Sequence, residues 1–216
     1  MGILSVIRSG ASFSDIIMYT IAIVLVVAFI LPFHELAHGY IAYKLGDNTA
    51  KYSGRLTLNP LAHIDPFGAL ALFLVGFGWA KPVPVNPVYF KNPKRDMALT
   101  ALAGPVANLI AALLGGFLYQ IFLRLGWFYV VMLMIFYIRV NVFLAVFNLI
   151  PIPPLDGSKI LMRFLPNSVL YNLQSYEKAF YIGLIVMLFT GLLDVPIDFV
   201  VNSVLKFISW FTALPF

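Results

Sequence analysis

From Ile16 to Phe33 no side chain carries a charge. The run shows neither the alternation of a half-buried strand nor the single stripe of a surface helix, and it is long enough to cross a bilayer as a helix. Carried to its polar ends, it predicts a first span from about Ser14 to Lys44. Asp15 sits in its first turn and Lys44 in its last, each sign matched to the helix dipole. The pattern recurs from about Met97 to Leu123 and from about Trp127 to Leu149, and Tyr176–Leu193 and Pro196–Trp210 supply two more apolar helices. Pro66–Gly78 is apolar but too short for an easy crossing, which predicts a re-entrant or interfacial helix. Lys51–Pro60, with its Tyr, Leu and Thr residues, Gly54 and the Asn59-Pro60 turn, predicts short strands. Lys81–Pro93 is rich in Pro, Val and Asn and predicts an extended edge segment. The expected fold class is therefore an all-α polytopic membrane protein. It has about five to six transmembrane helices, with a short re-entrant or β-hairpin region after the first span. Residues 1–216 read as one membrane-embedded domain, with no internal repeat. Met1 to Ser14 is short and no small-residue cleavage site follows the first apolar run, so that run is expected to be an uncleaved span.

Composition sharpens this picture. Of the 216 residues, 62% are hydrophobic and 11% charged, against roughly half and a quarter in soluble domains. The chain has no cysteine, so a metal site must be built from His and carboxylate. A net charge of +5 does not argue for nucleic acid. The basic residues lie mostly in loops, which suits an anionic membrane surface. If the loop after the first span is cytosolic and Pro66–Gly78 re-enters, Lys44, Lys51, Arg55, Lys81, Lys91, Lys94 and Arg95 share that side. Lys159, Arg163 and Lys178 return to it, and the outer turn at Leu123–Trp127 carries Arg124 alone. This bias predicts a multi-pass membrane protein with its chemistry toward the cytosol.

The chemistry concentrates at His34-Glu35-Leu36-Ala37-His38. An ionisable side chain at membrane depth costs about 2.5–3.5 kcal/mol on insertion scales, so three within five positions point to function. On a helix His34 and His38 share a face one turn apart. Two imidazoles so placed can share one zinc ion, with Glu35 as general base. The ordinary alternative is a pair of helix histidines bonded to polar neighbours. Pro32 frees the carbonyl of Ala28 just before this motif and predicts a local bend. His38 lies six residues before Lys44, about 9 Å from the cytosolic end of its helix. The stretch Asn148-Leu149-Ile150-Pro151-Ile152-Pro153-Pro154-Leu155-Asp156-Gly157 comes to the same face of the bilayer. There Asp156 is either an N-cap or a third zinc ligand. His63 and Asp65 are reserve ligands. Gly104 and Asn108 share a face one turn apart, with Asn108 either interhelical glue or a residue near the site. Arg139, inside an apolar run, requires a partner or a watery cavity.

Taken together, the His34–His38 motif, the Asn148–Gly157 stretch and Gly104-Pro105…Asn108 resemble the site-2 protease family of zinc intramembrane metalloproteases. Gly54–Pro60 and Gly78–Pro87 resemble its compact bacterial and archaeal members, which implies a prokaryotic cell membrane. The resemblance implies His34, His38 and Asp156 as ligands of one Zn2+, Glu35 as catalytic base, and Asn148 beside the site, steadying substrate or oxyanion. It implies a transmembrane protein or signal-peptide substrate, a lipid bilayer partner and no nucleic acid. No loop is long enough for a PDZ insertion and no CBS domains follow Phe216, so regulation by those modules is not expected in cis. Two other functions compete: a catalytically silent membrane-binding scaffold, and a metal or ion transporter using the His pair in transit. The retained Glu35 argues against the first, and the absence of paired repeats argues against the second.

Overall fold

The computed structural model describes residues 2–76, 78–166, 169–170 and 176–213. Helix α1 (Ile3–Arg8) leads into one long helical path over residues 13–44, made of α2 (Phe13–Leu25), a π turn (Val26–Ile30) and α3 (Leu31–Lys44). Ser12 and Asp15 form a reciprocal capping box that fixes the start. Pro32 has no N–H to offer the carbonyl of Ala28. The helix meets that gap with the widened turn, in which Leu31 N–H reaches back to Val26. The disturbance expected at Pro32 thus takes the form of a π turn directly ahead of the histidines, a place where such turns recur.

After α4 (Thr49–Tyr52) and α5 (Pro66–Val75) come the long α6 (Pro93–Arg124), α7 (Phe128–Asn148), α8 (Asp156–Met162), α9 (Glu177–Phe189) and α10 (Asp194–Thr212). Small residues make α6 the centre of the bundle. Ala98, Ala101, Gly104, Ala111, Ala112, Gly115 and Gly116 are buried along it, and it packs against α3, α7, α8 and α10. Where small residues line a helix, backbones approach closely, and close contact is what holds helices together in lipid. Ala112 of α6, Val142 of α7, and Ile197, Val201 and Ile208 of α10 form the apolar core. Much of the apolar surface nevertheless points outward. Phe29, Leu114, Met132 and Phe199 are exposed, as expected of a fold whose outer solvent is lipid.

Among the described residues four helical stretches are long and apolar enough to cross a membrane: Phe13–Lys44, Pro93–Arg124, Phe128–Asn148 and Asp194–Thr212. The remaining apolar run, expected over Tyr176–Leu193, forms a 13-residue helix. At about 20 Å it is shorter than a ~30 Å hydrocarbon core. Helix α5 has 10 residues and ends at Gly76, which takes the left-handed conformation that stops it. Arg139 finds a partner in Asp198, 3.9 Å away on α10.

The strands expected in Lys51–Pro60 do not form. That stretch holds the end of α4 and irregular chain, and only an isolated antiparallel bridge, Ile64 to Ala80, appears among the described residues. The physical reason lies in the partner segment. Pro82, Pro84, Pro87 and Pro93 remove the donors a ladder would need. Side chains satisfy the backbone there instead. Arg55 donates to the carbonyl of Lys81, Glu35 accepts from Val83 N–H at 2.7 Å, and Asp47 accepts from Asn86 N–H at 2.7 Å.

Candidate metal centre

Helix α3 turns His34 and His38 inward, leaving them 6% and 8% exposed. The prolines after α7 stop that helix and carry the chain to α8, whose first residue is Asp156, 7% exposed. Leu155, not Asp156, occupies the N-cap position, and no side chain caps this helix. Of the two roles open to Asp156, capping is the one the structure does not show. Its carboxylate turns to the histidines. Oδ2 lies 3.4 Å from His34 Nε2 and 3.1 Å from His38 Nε2, and the two Nε2 atoms are 2.9 Å apart.

This triangle can be tested against an ion. Zinc bonds of about 2.0–2.1 Å in a tetrahedron place neighbouring ligand atoms roughly 3.3 Å apart. Edges of 2.9, 3.1 and 3.4 Å fit that spacing. The ring nitrogens of His38 are also assigned roles, whereas His34 Nδ1 is buried with no hydrogen-bond partner among the described residues. His38 Nδ1 donates to the carbonyl of Thr100 at 2.7 Å, which in the neutral ring leaves Nε2 with its lone pair toward the centre. Gly104 backs both rings: a Cβ there would run into His38 Nε2 and His34 Nε2. Helix α6 thus supplies a carbonyl for one ligand and a bare backbone for both.

Asp156 sits in a sorted environment. Its Oδ1 takes a 3.2 Å bond from Lys159 Nζ while Oδ2 faces the imidazoles. Burial alone would raise the carboxyl. Hydrogen bonds from His34 and His38, with the charges of His38 and Lys159, outweigh it and hold the group well below the usual carboxylate range. An ionised carboxylate is the form that ligates a cation.

Glu35 and both histidines line one cavity of about 610 Å³. Asn148 also lines it, with its amide donating to the carbonyl of Leu144 at 2.9 Å. The reserve ligands are not brought to the centre. His63 is buried and donates through Nε2 to Thr57 O at 2.8 Å, and Asp65 caps α5 through Gly68 N–H. Asn108 is fully buried one turn from Gly104, and neither atom of its amide has a hydrogen-bond partner among the described residues. Sequence reasoning did not single out Thr100, whose part is played by a backbone carbonyl, or Lys159. The spacing of Lys159 three residues after Asp156 on a helix was the available signal.

The profile of peptidase family M50 matches residues 121–190. A Bacillus subtilis protein named "Putative zinc metalloprotease YwhC" is 43% identical over 182 residues, covering 80% of this chain and 81% of its own. A Mycolicibacterium smegmatis protein with the same kind of name, Rip2, is 30% identical over 76% of this chain and 65% of its own. The similarly named MJ0611 of Methanocaldococcus jannaschii is 33% identical over 60% of this chain and 63% of its own. No solved structure matches significantly.

Proposed function

Because the chain belongs to peptidase family M50, the site-2 protease family, and is a zinc metalloprotease, we propose that it cleaves peptide bonds inside the transmembrane segments of other proteins. In this reading His34, His38 and Asp156 hold one zinc ion and Glu35 is the general base. The observation that carries it is the convergence of three ligand atoms, within 3.4 Å of one another, from residues 34, 38 and 156, with Glu35 in the same cavity.

Zinc held there by three protein ligands would supply Lewis acidity, polarising a scissile carbonyl and lowering the pKa of a water toward about 7. The chain's own groups do the rest. Glu35 takes a proton from the attacking water and delivers it to the leaving amine. Val83 N–H holds one oxygen of that carboxylate at 2.7 Å, so the base has a fixed direction. Asn148, on the cavity wall, is placed to steady the substrate or the charge that develops on the carbonyl oxygen. Its amide can do so by turning from Leu144.

An intact helix closes its own backbone hydrogen bonds, so a transmembrane substrate must unwind locally before attack. The cavity wall formed by Pro82, Val83 and Val85 suits an extended segment. The substrate is a transmembrane protein or signal-peptide remnant. The basic residues of the loops support a centre toward the cytosolic side, from which water has the shortest route. The test is a panel of tagged single-span substrates presented to wild type and Glu35→Gln in vesicles. Cleavage within the span by wild type only, with Gly or Pro near the cut favouring it, supports the reading. Equal cleavage by Glu35→Gln, or of unbroken Leu helices, refutes it.

A further inference from the structure

We propose that Lys159 is a positioning residue for the metal centre, holding the second oxygen of Asp156 so that the carboxylate presents one oxygen to the ion. The proposal rests on the ligand set above. Its basis is how the two oxygens of one side chain are divided. Oδ2 is the atom that faces His34 Nε2 at 3.4 Å and His38 Nε2 at 3.1 Å. Oδ1 is the atom that faces Lys159 Nζ at 3.2 Å.

The division matters because a carboxylate can give a cation one oxygen or two. A centre with three protein ligands keeps its fourth position for water. A carboxylate that swung its second oxygen inward would take up that position. Lys159 opposes the swing by giving Oδ1 a charged donor of its own. Partners of this kind orient ligands, and their loss typically weakens metal binding about 10- to 100-fold.

An i,i+3 ion pair on a helix surface would usually mean little. This pair is not symmetric in its surroundings. The Asp156 side chain is 9% exposed and the Lys159 side chain 44%. The carboxylate is therefore desolvated and needs a donor, while the ammonium keeps much of its hydration and remains charged at little cost. Lys159 is also the only Lys or Arg among the described residues that line the cavity. No other such cation there can do this work.

The experiment uses the full chain in detergent, with wild type, Lys159→Met and Lys159→Arg. Each is stripped of metal, its melting is recorded, and it is titrated with zinc against a chelating competitor. Each is then loaded with Co2+ and its visible absorption measured. Lys159→Met is expected to bind zinc about 10- to 100-fold more weakly. Its Co2+ bands should lose intensity, as a four-coordinate centre gains a fifth ligand. Lys159→Arg should restore both. Wild-type affinity and bands in Lys159→Met overturn the proposal. So does a Lys159→Arg variant that restores metal-free melting but neither affinity nor bands, because a charged donor at this position then fails to hold the site. Failure of wild type itself to take up zinc overturns the ligand set and this proposal with it. Tight binding by wild type and Lys159→Met alike overturns only the role of Lys159.

Discussion

Gly104 has no side chain, and the space where one would stand holds the Nε2 atoms of His34 and His38. Gly104→Ala must therefore push the rings apart or shift α6. Overpacking of this kind costs about 1–3 kcal/mol, and here it falls on the atoms proposed to bind the ion. A zinc affinity about tenfold or more below wild type is expected, measured by competition with a chelator. Glu35→Gln is the complementary change. It should lower cleavage about 10²- to 10⁴-fold, while elemental analysis shows the zinc content of wild type. The two histidines and Glu35 were legible because ionisable side chains in an apolar run stand out. Asp156 was legible as one of two options, and its carboxylate turns to the histidines while no side chain caps α8. Thr100 and Gly104 act through a carbonyl and a missing Cβ, which leave no side-chain chemistry in the sequence to read.

At the scale of elements, the chain between α5 and α6 shows how far a pattern can mislead. Pro, Val and Asn over Lys81–Pro93 read as an extended edge, and the neighbouring Lys51–Pro60 read as strands. The prolines that keep the segment extended also deny it a ladder, so buried side chains anchor it. Asp47 is fully buried and accepts from the backbone N–H groups of Thr49 and Asn86 at 2.9 and 2.7 Å. This ties the end of α3 to the segment that carries Val83, the partner of Glu35. Asp47→Ala leaves these part-buried donors unsatisfied, at about 1 kcal/mol. Lower stability in chemical denaturation is expected, together with slower cleavage at unchanged zinc content. Stability equal to wild type would show that water replaces the carboxylate at no cost. The long helices, by contrast, were read to within a few residues, because an apolar run of more than twenty has few other structures open to it.

At the scale of the molecule, exposed apolar residues on the outside surround a buried group of His34, His38 and Asp156. Removal of metal with a chelator should abolish cleavage, and added zinc should restore it. Zinc at a thousand times its Kd should stabilise the folded chain by about 4 kcal/mol, read as a rise in melting temperature. The proposed orientation can be checked cleanly because the chain lacks cysteine. Lys91→Cys should be shielded from a membrane-impermeant maleimide in intact cells, and Leu125→Cys should react. The reverse pattern would place the centre on the outer side. The number of long spans was less legible than their existence. The run over Tyr176–Leu193 is apolar enough, but its described helix ends at Phe189, ahead of the left-handed Gly191.

The most direct test is the zinc content of purified wild type and Asp156→Ala after gel filtration. One zinc per chain in wild type and loss of it in Asp156→Ala are expected if residues from α3 and α8 share a single ion. An Asp156→Ala variant that keeps one zinc at wild-type affinity would contradict that claim.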